Sequence, residues 1–159
     1  MNIPDNFSNG SFYNVPLDEF VANLDNALDK GFTVTLDCDV SEATFSSKHG
    51  VAVIPANDSN KKIAVLGPEP EKNITQTFRQ DEFENYTTTD DHLMHITGKA
   101  KDQNGIIYYK VKNSWGTNPN RTKYDGYVYM SAAYVKLKTI SILLHKDAFL
   151  KESKKNLRH

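Results

Sequence analysis

The sequence predicts an α+β fold in which one main helix near the N-terminus precedes an antiparallel β-sheet. Three observations support this class. Apolar residues recur at helical spacing within residues 15–31, residues 32–40 alternate between apolar and polar side chains, and strand-like segments separated by turn residues dominate from His92 onward. The 159 residues, 38% of them hydrophobic, are enough for one domain with a buried core.

The N-terminal part of the chain is predicted to contain the main helix and the first strand. Pro16 and two acidic residues suit the first turn of this helix, and Gly31 suits its end. The apolar stripe of the helix consists of Leu17, Phe20, Val21, Leu24 and Leu28. Beyond it, the pattern predicts a half-buried strand at 32–40, a short strand at 50–56, a loop at 57–73 and a short helix at 74–86.

The C-terminal part is predicted to be mostly strand. Two strand-like segments, 92–100 and 106–113, flank a turn that contains Asn104-Gly105, which is a strong hairpin signal. Further strands are predicted at 124–131 and 138–146, with a turn or short helix between them. We divide the chain into a domain at 1–150 and a basic, solvated tail at 151–159.

Composition limits the possible functions. Lys and Arg number 19 against 20 acidic residues, so there is no electrostatic basis for binding nucleic acid. No apolar run is long enough to cross a membrane, and the first ten residues do not resemble a secretory signal, which favours a cytoplasmic location. The single cysteine, Cys38, excludes a disulfide framework and a thiolate zinc site. No metal and no cofactor are predicted.

His92 and Asn113 form the pair of residues with the clearest chemical meaning. In catalysis by a cysteine nucleophile, an imidazole takes the thiol proton and later donates it to the leaving amine, while an Asn oxygen orients the ring. A Trp two residues after the Asn, here Trp115, can shield that hydrogen bond from water. His95 points to the opposite strand face from His92, so the two cannot share a zinc ion.

The hairpin register tests whether His92 can meet Asn113. A strict two-residue turn at Asn104-Gly105 places Asn113 opposite Ile96, too far from His92. A five-residue loop, Lys101–Gly105, places Asn113 opposite Leu93, from where the two side chains can meet diagonally. The catalytic interpretation therefore predicts the longer loop.

Several stretches resemble the C-terminal half of a papain-like cysteine peptidase, closest to the bleomycin hydrolase/aminopeptidase C branch. The resemblance extends from Pro4 to Ala148 and is carried by "FYNVPLDEF", "KGFTVTLDCDVSE", "GVAVIP", "TTDDHLMHITG", "YYKVKNSWGT", "YDGYVYMS" and "ISILLHKDA". It implies half of a papain-like fold with a barrel-like antiparallel sheet. It also implies that His92 is the general base and acid, that Asn113 orients it, that Trp115 shields the pair and that Asp91 lines the substrate cleft.

The resemblance also implies that the nucleophile lies elsewhere. In such peptidases a Cys at the head of a long helix attacks the peptide carbonyl, and an upstream Gln helps to form the oxyanion hole. No Gln-x-x-x-x-x-Cys-Trp segment occurs in this sequence. Cys38 alternates with apolar residues in a predicted strand, so we expect an inert, partly buried thiol.

These observations predict the His- and Asn-bearing portion of a cysteine peptidase that is inactive without a Cys-bearing N-terminal half. The alternatives are a non-catalytic module that binds peptides or a protein, and a relic of such a peptidase. The expected partners are a peptide substrate, once the Cys-bearing half is present, and a second copy of the chain that covers the exposed cleft face. Neither nucleic acid nor a membrane is expected as a partner.

Overall fold

The computed structural model describes residues 12–156 of the chain. The start of the family resemblance, before residue 12, and the last three residues of the predicted tail lie outside this range. Within it, the helices are α1 (Leu17–Asp29), α2 (Lys61–Ala64), α3 (Gln76–Glu84), α4 (Ala132–Lys138) and α5 (Lys151–Asn156). The strands are β1 (Val34–Cys38), β2 (Phe45–Ser46), β3 (Val51–Ala52), β4 (His92–Lys101), β5 (Ile107–Lys112), β6 (Tyr127–Ser131) and β7 (Thr139–Leu143).

The strands form one sheet in the order β2-β3-β6-β5-β4-β1-β7. The predicted α+β class is confirmed, and the sheet differs from the expectation in two details. It is not closed into a barrel, because β2 and β7 lie at opposite edges of the strand order. It is also not wholly antiparallel, since β3 pairs with β6 in parallel. The long connection between these two strands makes parallel pairing possible, whereas a short hairpin could not.

The core lies between α1 and the inner face of β1 and β4. On this face, Val34 pairs with Ile96, Leu36 with Met94 and Cys38 with His92. Leu24 of α1 is fully buried in the same core, and burying a side chain of this size stabilises the fold by about 1.5–3 kcal/mol. Within the described helices, none is long and apolar enough to pass through a bilayer.

The β4–β5 hairpin has neither of the two predicted loops. Lys101 pairs with Ile107, so the loop is Asp102–Ile106. It is closed by the Asp102 carboxylate, which accepts hydrogen bonds from the backbone N–H groups of Asn104 and Ile106 at 2.8 and 2.9 Å. Farther along, the register shifts by one residue between Ile96 and Gly98, so that Lys112 pairs with His95.

The register of this hairpin therefore corrects the sequence expectation. Asn113 follows Lys112 and lies at the level of Met94, neither opposite Ile96 nor opposite Leu93. His92 is two residues farther along the same face of β4, which is a diagonal distance that long side chains can bridge. A five-residue loop and a bulge together bring the two side chains into reach, which no single loop length predicted.

The basic C-terminal stretch is folded against α1 instead of forming a solvated end. The Ser153 hydroxyl of α5 accepts a hydrogen bond from Asn23 Nδ2 at 2.8 Å and donates one to Glu19 Oε1 at 2.6 Å. The Asn23 side-chain oxygen also accepts the N–H of Leu150 at 2.9 Å. Polar contacts of this kind leave no apolar periodicity in the sequence, which explains why the helix was not expected. The division of the chain at residue 150 stays a prediction.

Candidate active site

His92 and Asn113 meet at the end of the sheet. His92 is the first residue of β4, and Asn113 directly follows β5. The distance from His92 Nε2 to Asn113 Oδ1 is 2.9 Å. Asn113 is only 4% exposed, and its backbone N–H donates to the Gly126 carbonyl at 2.9 Å. The two predicted catalytic residues are thus brought together, with the Asn held by backbone contacts.

The hydrogen bonds around Asn113 determine the direction of the contact with His92. Asn113 Oδ1 also accepts the backbone N–H of Ser114 at 2.7 Å, so this atom is an acceptor and not the amide nitrogen. Because Oδ1 accepts from both groups, His92 Nε2 must carry a proton. In the neutral ring, Nδ1 is then the unprotonated nitrogen and can take a proton from another group.

Trp115 packs beside this pair as the sequence led us to expect. Its ring centroid lies 4.9 Å from that of His92, with the planes tilted by 39°, and its edge meets Phe45 at 5.8 Å. The indole is 53% exposed, so it covers one side of the imidazole while remaining at the surface. Its predicted function as a shield is compatible with this position and stays a prediction.

Gly126 is a structural residue of the site that sequence reasoning missed. Its φ is +80°, and a Cβ at this position would lie 2.7 Å from the Gly116 carbonyl oxygen. Glycine therefore permits both the left-handed backbone and the close approach of the loop that follows Trp115. Its N–H donates to Thr122 Oγ1 at 2.9 Å. The Asp125-Gly126 dipeptide, a common turn sequence, was the available signal.

Asp91 lies just before His92 and contacts the end of β1. Its Oδ1 accepts the backbone N–H of Val40 at 2.9 Å, and its carboxyl group is hydrogen-bonded to that of Asp39. Burial and the negative charge of Asp39 raise the pKa of Asp91. Asp91 is exposed, and its predicted place in the substrate cleft stays a prediction, but its carboxyl group already has partners within the chain.

Asp39 is the buried member of this pair. Burial acts to raise its pKa, but hydrogen bonds from Ser41 and the ammonium group of Lys138 outweigh it and hold the pKa below the usual value. Ser41 donates both its N–H and its hydroxyl group to Asp39 Oδ1 at 2.7 Å. Asp39 is thus the ionised carboxylate and Asp91 the one that keeps a proton more readily.

A second carboxyl pair lies on the other face of β1. The Asp37 carboxyl group is hydrogen-bonded to that of Asp90. Burial, followed by the Asp90 carboxylate, raises the pKa of Asp37 to about 7. Ser141 of β7 donates to Asp37 Oδ2 at 3.3 Å. The segment before His92 therefore contributes to two carboxyl pairs, Asp39–Asp91 and Asp37–Asp90.

Cys38 does not have the environment of a nucleophile, although it pairs with His92 across β1 and β4. Its side chain is fully buried, and burial, followed by the negative charges of Asp37, Asp91, Asp39 and Asp90, raises its pKa well above the usual value. A reactive cysteine needs an exposed and electropositive setting. The thiol is wholly buried, and not partly buried as expected.

His95 does not share a site with His92. His95 is exposed on the outer face of β4, where its Nε2 lies 2.7 Å from Thr33 Oγ1. Across residues 12–156, no group of three or more His, Cys, Asp or Glu side chains is arranged to hold a metal ion.

Comparisons with known proteins identify the family and the fold of the chain. The sequence profile of the Peptidase C1-like family matches residues 2–159. No curated protein sequence matches the chain. Among solved structures, the fold is similar to that of PepW from Lactobacillus rhamnosis HN001 (DR20), with a TM-score of 0.64 and 20% identity over 91% of this chain.

Two plant proteins were also found. The bromelain protease from Ananas comosus, solved with the E64 inhibitor, has a TM-score of 0.43 and 18% identity over 81% of this chain and 46% of its own. The Amb a 11 cysteine protease, a ragweed pollen allergen solved as its proform, has a TM-score of 0.41 and 21% identity over 81% of this chain and 27% of its own. The chain also spans only 29% of the PepW chain.

The family match covers almost every residue, and the similarity to PepW shows that the fold is shared. The resemblance to papain-like cysteine peptidases that was drawn from the sequence is therefore confirmed. The chain belongs to the Peptidase C1-like family.

Proposed function

We propose that this chain supplies the imidazole and its orienting amide to a cysteine peptidase active site whose thiolate comes from polypeptide outside these 159 residues. The observation that carries the proposal is the 2.9 Å contact from His92 Nε2 to Asn113 Oδ1. Since Oδ1 also accepts from Ser114, the far nitrogen of the ring, Nδ1, is left to face a proton donor.

The reaction follows from this arrangement. His92 Nδ1 takes the proton of the incoming thiol, and the thiolate attacks the peptide carbonyl carbon to form a tetrahedral adduct. The imidazolium donates the same proton to the leaving amine, which leaves a thioester. His92 then removes a proton from water, hydroxide attacks the thioester, and the thiol regains its proton as the acid departs. Asn113 keeps its hydrogen bond to Nε2–H throughout and so fixes the ring.

The chain alone is expected to be inactive. Its single cysteine is the buried Cys38, which cannot reach a substrate. Catalysis without a nucleophile is limited to the small residual rate that remains when a triad is dismantled. We assign the parent activity to the bleomycin hydrolase/aminopeptidase C branch, with peptides cleaved near their ends. This assignment is supported by the quoted sequence stretches around His92 and Asn113.

A mixing experiment tests the proposal. The chain is combined with a Cys-bearing N-terminal half of a related peptidase, and hydrolysis of a fluorogenic aminoacyl substrate is followed with and without an alkylating agent. We expect thiol-dependent hydrolysis in the mixture only, and a loss of about 10⁴-fold or more in His92→Ala. His95→Ala serves as the matched control and should retain the activity.

Complex formation without hydrolysis would contradict the peptidase proposal and support a peptide- or protein-binding module instead.

Exposed apolar side chains also motivate a proposal about self-association. Leu93 of β4 is 64% exposed and Leu143 of β7 is 72% exposed, and both lie on the outer sheet face, on either side of β1. The sequence led us to expect a second copy on the cleft face; we propose that it covers this outer face instead, because exposed apolar patches favour association. Light scattering should show dimers that Leu93→Glu abolishes, and a monomeric wild-type chain would refute this.

A further inference from the structure

Backbone pairing between β1 and β4 ends at His92, and beyond it side-chain carboxylates connect the two segments. Cys38 and His92 are the last paired residues. One step beyond them, Asp91 Oδ1 accepts the N–H of Val40 from the β1 side at 2.9 Å, and Asp39 Oδ2 accepts the N–H of Thr89 from the β4 side at 3.3 Å. We call Asp39 and Asp91, with these two reciprocal bonds, the carboxylate clamp. It fixes the two chains where regular strand pairing stops.

A buried ammonium group compensates the clamp. Lys138, at the end of α4, has no exposed surface, and its Nζ lies 3.3 Å from Asp39 Oδ2. It also lies 2.8 Å from Glu42 Oε1 and 3.4 Å from Glu82 Oε2. We call Lys138, Asp39, Glu42 and Glu82 the buried charge network. Burial acts to lower the pKa of Lys138, but these carboxylates outweigh it and raise the pKa above the usual value.

Lys138 also holds the segment that leads into β4. Its Nζ donates to the Thr87 carbonyl oxygen at 3.0 Å and to Thr88 Oγ1 at 3.1 Å. Its own carbonyl accepts the N–H of Asp39 at 2.9 Å. One residue therefore contacts both sides of the clamp, the end of β1 and the approach to His92.

Stability alone does not explain a fully buried lysine. Desolvating an ion pair offsets much of its Coulombic gain, and apolar residues of similar volume often serve as well or better. A buried charge, however, requires its counter-charges and hydrogen-bond partners to stay at contact distance. Without Lys138, Asp39 would be a buried carboxylate with no cation in contact and would be driven to protonate or to move toward water.

We propose that Lys138 is a positioning residue for His92, acting through the carboxylate clamp to hold the first residue of β4 in place beneath Asn113. The consequence for catalysis rests on the proposed function, whereas the effect on the His92–Asn113 hydrogen bond does not.

The first test observes that hydrogen bond directly in the full chain. The Nε2–H proton of His92 is followed by NMR in wild type, Lys138→Met and Lys138→Arg. We expect Lys138→Met to accelerate exchange of this proton with water by about tenfold or more, because local opening limits its exchange. Lys138→Arg, which keeps the charge, should restore part of the protection. The matched control is Lys99→Met, which breaks the ion pairs with Asp25 and Asp29 at the other end of β4 and should leave the signal unchanged.

A second variant keeps the proposal falsifiable if Lys138→Met does not fold. Asp39→Asn removes the charge of the clamp with almost no change of shape, and it should accelerate exchange of the same proton. Folded Lys138→Met or Asp39→Asn protein with unchanged His92 exchange would overturn the proposal.

The mixing assay separates this proposal from the peptidase proposal. In an active mixture, Lys138→Met or Asp39→Asn should lower kcat by about tenfold while KM stays within about twofold, since a misplaced base affects chemistry more than binding. Unchanged kcat in a folded variant would overturn the positioning role while leaving the peptidase function intact. Accelerated exchange of the His92 proton in a chain that never becomes active would support the positioning role and refute the peptidase function.

Discussion

Two neighbouring regions of the molecule differ in exposure and in the number of their polar contacts. One is the edge formed by His92, Asn113 and Trp115 at the start of β4, and the other is the buried charge network at the end of α4. At the His92 edge, the imidazole has one side-chain hydrogen bond and lies beside a half-exposed indole. In the network, the ammonium group of Lys138 is wholly buried and has five polar partners from three segments of the chain.

The difference follows from what each region must do. A general base has to reach a reacting group, so its ring cannot be enclosed by its own chain. Its orientation must nevertheless be accurate, and accuracy in proteins comes from residues whose positions are fixed by packing and by surrounding hydrogen bonds. We infer that the exposed edge depends on the buried network for a precision that its own few contacts do not supply.

The largest expected effect is on stability, in the buried network. Lys138→Met leaves three carboxylates without their shared cation, and breaking a buried ion pair in this way destabilises a protein by about 3–5 kcal/mol. Lys99→Met, which removes a solvent-accessible lysine that is paired with Asp25 and Asp29, should lower stability by about 1 kcal/mol or less. Urea unfolding of both variants measures the difference.

Equal destabilisation by the two lysine variants would contradict the distinction between the regions. It would mean that water reaches Lys138 readily or that the carboxylates around it rearrange at little cost. In that case the network could not act as a fixed support for His92.

The next effect is on activity, at the exposed edge. Asn113→Ala removes the acceptor that orients His92, and we expect kcat of the mixed peptidase to fall by about 10²-fold, in the range typical of general acid–base catalysis. Asn118→Ala is the matched control, because Asn118 caps a nearby turn by accepting the N–H of Asn120 at 2.9 Å. Retained activity in Asn113→Ala would show that His92 is oriented by other groups.

The elements with local sequence signals could be predicted, and the long-range contacts could not. The apolar stripe of α1 and the alternation in β1 are properties of consecutive residues, so periodicity found both. The β4–β5 register depends on how the Asp102 side chain closes the loop and on a bulge near Thr97, and neither has a distinctive spacing. Two alternative loops were considered, and both were wrong.

The same distinction applies to the site. The Asp-His and Asn-Ser-Trp-Gly segments are strong local motifs, and the structure brings His92 and Asn113 together as they suggested. Lys138 had no such signal, because it begins an ordinary strand pattern and its carboxylate partners lie 56 to 99 residues away in the sequence. Lysine is among the residues least often buried, so a fully buried one is not expected from sequence alone.

A smaller effect is expected for the indole beside the edge. Trp115→Ala should expose the His92–Asn113 hydrogen bond to water and lower kcat by about tenfold, because hydrogen bonds weaken when water competes for them. Trp115→Phe keeps a ring over the imidazole and is the control that should retain most of the activity. Identical kcat values in the two variants would show that an aromatic cover is not required.

The smallest effect is a pH dependence of stability that originates from the Asp37 carboxyl group of β1. Burial and the neighbouring Asp90 carboxylate raise the pKa of Asp37 from 3.8 to about 7, and the Asp91 carboxylate adds to the repulsion while Ser141 partly relieves it. The folded chain therefore keeps a proton that the unfolded chain releases near pH 4. This stabilising contribution is complete below the unfolded pKa and is lost as the pH rises to about 7.

Asp37→Asn should remove this dependence. Urea unfolding at about pH 5 and about pH 8 should show wild-type stability falling by about 1 kcal/mol more than that of the variant, a value well below the full pKa shift because Asp90 is exposed and solvent screens the repulsion. Asp147→Asn is the matched control, since Lys146 lowers the pKa of Asp147 and its effect is confined to lower pH. If Asp37→Asn retained the wild-type slope, the carboxyl pair on the outer face of β1 would not hold a proton near neutral pH. The Asp39–Asp91 clamp, in which Lys138 keeps Asp39 ionised, would then be the carboxyl pair near His92 whose members influence each other's protonation.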